Sequence, residues 1–98
     1  MIDLSIVIVS YNTKEFLGRC LDSIFESTLK DLEVIVVDNA SKDGSVQEIR
    51  KFDSKVKIIE NKENVGFSKA NNQGVKIAKG KYLLFLNPDT VVNKDTLS

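Results

Sequence analysis

A chain of 98 residues holds one domain at most, and at that size folding buries only roughly 60 to 70% of the surface the unfolded chain exposes, which makes modest stability the expectation. With 42% hydrophobic and 29% charged residues, the composition is that of a globular protein and excludes a disordered tail. Fourteen basic residues balance fourteen acidic ones, which excludes a general electrostatic pull on nucleic acid or anionic lipid, so any bound anion has to be held by local groups.

Leu4-Ser5-Ile6-Val7-Ile8-Val9 is short, β-branched and almost continuously apolar, the pattern of a strand buried on both faces of a parallel sheet. After Ser10-Tyr11-Asn12, the residues Phe16, Leu17, Cys20, Leu21, Ile24 and Phe25 recur at helical spacing, which predicts a helix running to about Thr28. Asn12, with Glu15 three residues on, is its expected N-cap. Cys20, the single cysteine, cannot form an internal disulfide and falls on the apolar face, where it reads as a small buried hydrophobe. Glu33 to Val37 is the second strand, and Ser45-Val46-Gln47-Glu48 has the form of a capping box opening a second helix. Val56 to Glu60 is a third, shorter strand. Phe67, Ala70, Asn71, Gly74, Ile77 and Ala78 then share one side of a third helix, with Gly80 expected as its left-handed terminator. Lys81 to Leu86 is the fourth strand, and Asn93-Lys94-Asp95-Thr96 has the look of a further helix start.

Alternating strands and helices imply a parallel sheet covered on both faces, with expected strand order 3-2-1-4. In that order the chain changes its direction of growth between strands one and four, and the crevice at their carboxyl ends is where a ligand is expected. Ser10, Tyr11, Asp38 and Asp89 all fall at that edge, with the two aspartates expected at exposed strand ends. Taken alone, each polar residue there also has a purely structural reading. Asp38 can receive a base N–H or a ribose hydroxyl, or it can cap its own turn, since Asp38-Asn39-Ala40-Ser41-Lys42-Asp43-Gly44 is rich in turn formers. Asn64 can serve a ligand or cap the third helix, and Gly66 can admit a close ligand or simply shape a loop.

Four segments, Val9-Ser10-Tyr11-Asn12, Val36 to Ser45, Asn64 to Gly74 and Asn87-Pro88-Asp89-Thr90, occur in the order found in inverting, family 2 glycosyltransferases of the GT-A fold, and the chain resembles the N-terminal, donor-binding half of that catalytic domain. The resemblance implies an α/β, Rossmann-like unit over residues 1–98 that binds a UDP- or dTDP-sugar. It places Ser10, Tyr11, Asn12, Asp38, Asn64, Gly66, Asn71 and Asn72 around the nucleotide, and Asp89 on a divalent cation, Mg²⁺ or Mn²⁺. Asn87 stands where the family's Asp-x-Asp motif has its first aspartate. It is a second candidate donor without the charge, which implies low metal affinity in the absence of nucleotide. Ser10 stands where a proline is common. The Asn-Pro-Asp-Thr variant is similar to rhamnosyltransferase-like members, which use dTDP-rhamnose.

The family's catalytic base lies in a later segment, so the base is expected beyond Ser98 and no residue of this chain is assigned that role. It follows that the fragment alone is expected to be inactive, and that a saccharide or lipid-linked acceptor is bound by residues it lacks. A sugar nucleotidyltransferase shares the sheet but opens with a Gly-rich, Arg-containing loop that Ser10-Tyr11-Asn12-Thr13-Lys14 does not match, and a stand-alone nucleotide-binding module is the remaining alternative. No Gly-x-Gly-x-x-Gly or P-loop is present. No apolar run approaches the ~20 residues of a membrane span, and the start of the chain lacks the basic region of a signal peptide. Expected partners therefore exclude nucleic acid and membrane, and the expected location is cytoplasmic, at the inner face of the membrane in a full-length form.

Overall fold

The structure is a computed structural model that describes residues 2–26, 31–52 and 55–89. The apolar runs form the strands β1 (Leu4–Ser10), β2 (Leu32–Asn39), β3 (Val56–Asn61) and β4 (Tyr82–Leu86). Between them lie the helices α1 (Lys14–Phe25), α2 (Ser45–Arg50) and α3 (Phe67–Ile77). The four strands make one parallel sheet in the order β3-β2-β1-β4, as expected. The far end of the first helix and the helix start at 93–96 lie outside the described residues.

Period-two alternation divides the strands between two cores. On one face Ile6, Ile8, Val34, Val36 and Val56 pack against Leu17, Cys20, Leu21 and Ile24 of α1 and Ile49 of α2. On the other, Val9, Ile35 and Val37 pack against Ala70 of α3. Every apolar residue from Ile6 to Val9 is thus buried, which is why β1 and β2 read as unbroken hydrophobic runs. β4 is different: it lies at the sheet's margin with Tyr82, Leu83 and Phe85 exposed. Phe16 and Phe67, expected on the apolar sides of their helices, are also exposed.

The helix ends depart from expectation. Thr13, not Asn12, is the N-cap of α1, and Gly44 in the left-handed region precedes α2 in place of a Ser45–Glu48 capping box. Gly80 is not left-handed, and α3 ends at Ala78 in extended backbone. Glycine is needed at 80 for closeness instead: a Cβ there would lie 2.5 Å from the Ser5 backbone nitrogen. The Gly80 N–H donates to Ser5 Oγ at 2.7 Å, Ser5 Oγ–H donates to Glu33 Oε1 at 2.6 Å, and the Lys79 N–H reaches the same Glu33 oxygen. Lys57 closes this amino-edge cluster on Glu33 Oε2 at 2.9 Å. Among the described residues, no helix is long and apolar enough to cross a membrane.

Candidate functional site

Parallel register brings the strand ends to one edge. Ser10 is level with Asp38, and Asn39 is level with Asn61. Leu86 is level with Ile8, so the turn Asn87-Pro88-Asp89 leaves β4 beside the end of β1. Two loops then cross this edge and are tied together. The Asn12 N–H donates to Ser41 Oγ at 2.8 Å, and the Lys42 N–H returns to Asn12 Oδ1 at 2.8 Å. Thr13 N–H donates to Ser45 Oγ and Lys14 N–H to Asp43 Oδ2, each at 3.0 Å. To make these bonds Asn12 adopts a φ of 52°, a left-handed conformation that asparagine tolerates better than most residues. Asn12 therefore fastens the β2–α2 loop; it does not cap α1.

Asp38 is 1% exposed, a correction to the exposed strand end expected of it. Its Oδ2 accepts the Ser41 N–H at 2.9 Å and its Oδ1 accepts the Ser41 hydroxyl at 2.7 Å, so the turn-capping role is real. Each oxygen keeps a further lone pair. Asp43 is held below the usual carboxylate range chiefly by the Ser45 hydroxyl, with burial opposing it and the Lys14, Ser45 and Asp43 N–H groups adding to it. Ser10 is buried, with its hydroxyl 2.7 Å from Thr13 Oγ1, whereas Tyr11 beside it is 51% exposed and presents its ring at the edge.

Asn64 is exposed, and its Oδ1 accepts the Gly66 N–H at 2.9 Å, an Asx turn and not a cap of α3. Gly66 itself precedes α3 at φ 90° and ψ 163°, a conformation essentially reserved to glycine, and a Cβ there would meet nothing within 4 Å. The start of α3 has no side-chain cap, so its first N–H groups stay available at the same edge. One turn further on, Asn72 is exposed and Asn71 is half-buried, its Oδ1 buried without a hydrogen-bond partner among the described residues. Behind this loop, Asn39, Asn61 and Gln73 form a chain of amides that sequence reading missed.

At the fourth strand end Asn87 and Asp89 are exposed. Cys20 lies beneath them, its thiol donating weakly to the Asn87 carbonyl at 4.0 Å; burial, with Asp89 adding to it, pushes that thiol up to about 11, so it stays protonated. Among the described residues no three His, Cys, Asp or Glu side chains cluster as a metal cage. One free carboxylate and one neighbouring amide suit Mg²⁺ or Mn²⁺ only in the mode where diphosphate oxygens and water supply most ligands.

The arrangement is therefore one sheet edge that carries an exposed aromatic ring, a helix start with no side-chain cap and an exposed carboxylate. A family model described as glycosyl transferase family 2 matches residues 5–98. The chain belongs to that family. Relatives in it include the poly(ribitol-phosphate) beta-glucosyltransferase of Bacillus spizizenii, 37% identical over 100 residues covering 96% of this chain and 16% of that protein. Among solved structures, S. aureus TarS 1–349 in complex with UDP is similar at a TM-score of 0.91 and 29% identity, covering 98% of this chain and 30% of that one. The mannosyltransferase PcManGT from Pyrobaculum calidifontis, in complex with GDP-Man and Mn²⁺, is similar at 0.82 and 28%, covering 88% and 27%. The family 2, GT-A resemblance and the 3-2-1-4 parallel sheet thus stand as expected. This chain spans less than a third of the length of these relatives.

Proposed function

We propose that residues 1–98 are the N-terminal, donor-binding half of an inverting glycosyltransferase that moves a hexose from a nucleoside diphosphate sugar, UDP- or dTDP-linked, to an acceptor hydroxyl in polysaccharide assembly. The observation that carries this reading is the exposed Asp89 carboxylate leaving β4 beside the end of β1, at the crevice where the strand order reverses. In this reading Tyr11 offers its ring to the base, and Asp38, while bracing its loop, offers its remaining lone pairs to a base N–H or ribose hydroxyl. Ser10 and Asn12 shape the base-side loops. Asn64 and Gly66 set the backbone that meets the ribose or diphosphate, and Asn71 and Asn72 support the nucleotide from α3. Asp89, with Asn87 as a neutral second donor, would hold Mg²⁺ or Mn²⁺, which when bound neutralises charge on the diphosphate leaving group.

TarS structures hold UDP or UDP-GlcNAc and the archaeal relative holds GDP-Man with Mn²⁺, which supports a nucleoside diphosphate sugar as ligand class. The Asn87-Pro88-Asp89-Thr90 variant favours a dTDP-rhamnose donor within that class. In this reading the base that deprotonates the acceptor, and the groups that bind a saccharide or lipid-linked acceptor, are not among these 98 residues, so the chain alone transfers no sugar, and a full-length form would act at the cytoplasmic face of the membrane.

Calorimetric titration of the chain with uridine and thymidine diphosphates, with and without Mn²⁺, tests the reading. Affinity of about 10 μM to 1 mM is expected in Mn²⁺. Asp89→Asn should remove most of the enhancement given by Mn²⁺ and leave the fold intact, because the side chain is exposed. Absence of heat at millimolar nucleotide, or an Mn²⁺ effect that survives in Asp89→Asn, would count decisively against it.

A further inference from the structure

Asn39 and Asn61 are the last rung shared by β2 and β3, and Gln73 reaches Asn61 from α3. Asn61 Nδ2 donates to Asn39 Oδ1 at 2.9 Å and to Gln73 Oε1 at 2.8 Å, while Gln73 Nε2 donates back to Asn61 Oδ1 at 2.9 Å. Both amide protons of Asn61 and its carbonyl are therefore engaged. Asn39 carries the chain onward into the loop. Its Oδ1 accepts the Val65 N–H at 3.4 Å, and its Nδ2 donates to the Gly66 carbonyl at 3.3 Å. That carbonyl is also the acceptor of the first α-helical bond of α3, from the Ala70 N–H at 3.2 Å. Asn39 is 2% exposed, and its amide is engaged by Asn61 on one side and by the Val65 N–H and the Gly66 carbonyl on the other.

A partly buried amide network whose members satisfy one another is stiff, and it loses bonds when any member is removed. The loop it grips needs stiffness. Many other conformations are open to a glycine, so the one Gly66 occupies has to be held from outside, and no side chain caps the helix that follows. We propose that Asn39, backed by Asn61 and Gln73, is a positioning residue for the donor's diphosphate: by clamping the Val65 N–H and the Gly66 carbonyl it keeps Gly66 in its unusual conformation and the open N–H groups of α3 directed to the crevice. This rests on the donor-site reading above. It assigns these three amides a task in binding that none performs by contact.

The test compares the unaltered chain with Asn39→Ala and Gln73→Ala, each titrated with uridine diphosphate in Mn²⁺ and with uridine followed by nuclear magnetic resonance shifts, at a temperature where circular dichroism shows the variant folded. Uridine diphosphate affinity should fall about tenfold in Asn39→Ala and about threefold in Gln73→Ala, losses of the size expected when one or two hydrogen bonds no longer fix a group. Uridine affinity should hold within about twofold, because the clamp serves the phosphates. Amide exchange at Val65 should quicken in both variants. If a folded variant binds uridine diphosphate as the unaltered chain does, or loses uridine in equal measure, the positioning role is overturned and the donor site stands. If the unaltered chain binds no uridine diphosphate, both fall together. Should Asn39→Ala not fold, Gln73→Ala decides alone, since its half-buried side chain sits at the outer end of the network.

Discussion

Asp38 is a carboxylate that braces a turn, and under the proposed function it serves a ligand from the same place. Its two oxygens take the Ser41 N–H and hydroxyl, so truncation to alanine strands a backbone donor in a partly buried turn and should lower stability by about 1–3 kcal/mol. Asp38→Asn should behave differently. The amide oxygen can keep the Ser41 N–H while the amide nitrogen donates to the Ser41 hydroxyl, so stability should fall by less than about 1 kcal/mol while nucleotide affinity still declines with the lost charge. Urea midpoints at constant slope measure the difference. An equal loss of stability in both variants would show that charge, not shape, holds the turn. The position of Asp38 at a strand end could be read from sequence, because a polar residue closes an apolar run; its burial could not, because Ser41 folds back over it only once the loop is tied to Asn12. Asn39 and Asn61 escaped notice for a similar reason. They are far apart in sequence and become neighbours only through the parallel register.

At the scale of elements, strands were the legible part and helix ends were not. Ile6 to Val9 and Val34 to Val37 are β-branched or aliphatic at every position because both sheet faces are covered, a pattern with few competing readings. Capping signals are local, and here distant partners outbid them. Asn12 Oδ1 takes an N–H from Lys42, and Ser45 Oγ donates to Asp43 and accepts from Thr13. Glu48 pairs with Lys51 and makes no bond back to Ser45. Two glycines of the α3 region separate backbone from packing effects. Gly74 lies against the sheet, and a Cβ would fall 2.6 Å from Val7 Cγ1. Since valine is stiff at χ1, Gly74→Ala should cost about 1–3 kcal/mol by overpacking. Gly66→Ala meets open space and should cost a similar amount, about 1–3 kcal/mol, through its φ alone. Thermal melts should fall by roughly 4–8 °C per kcal/mol in each case, but only Gly66→Ala should also impair binding of uridine diphosphate, because only it moves the helix start. A Gly66→Ala variant with unchanged melting would mean that the loop readily adopts another conformation.

For the molecule as a whole, the amino edge of the sheet acts as a latch whose strength depends on pH. Burial alone would raise the Glu33 pKa, but the Lys79 N–H, the Ser5 hydroxyl and Lys57 outweigh it and bring the carboxyl down to about 2. A carboxyl whose folded pKa is depressed favours the folded state while ionised. Its contribution is therefore complete above the ordinary value of 4.5 and is lost as pH falls toward about 2. That interval corresponds to roughly 3 kcal/mol, a large share of the stability of a domain this small. Denaturant titrations at pH 6, 4 and 2.5 should show the decline, and Glu33→Gln should be weaker at pH 6 yet flatter across the series; a variant as steep as the parent would place the acid sensitivity elsewhere. The latch and the proposed donor site stand at opposite ends of β1, whose seven residues separate them by about 20 Å. Groups that far apart, sharing no partners, change stability nearly additively. Substitutions around Tyr11, Asn64 or Asp89 should accordingly leave Glu33 as it is, so under the proposed function one donor could be exchanged for another while the stability Glu33 contributes is inherited unchanged.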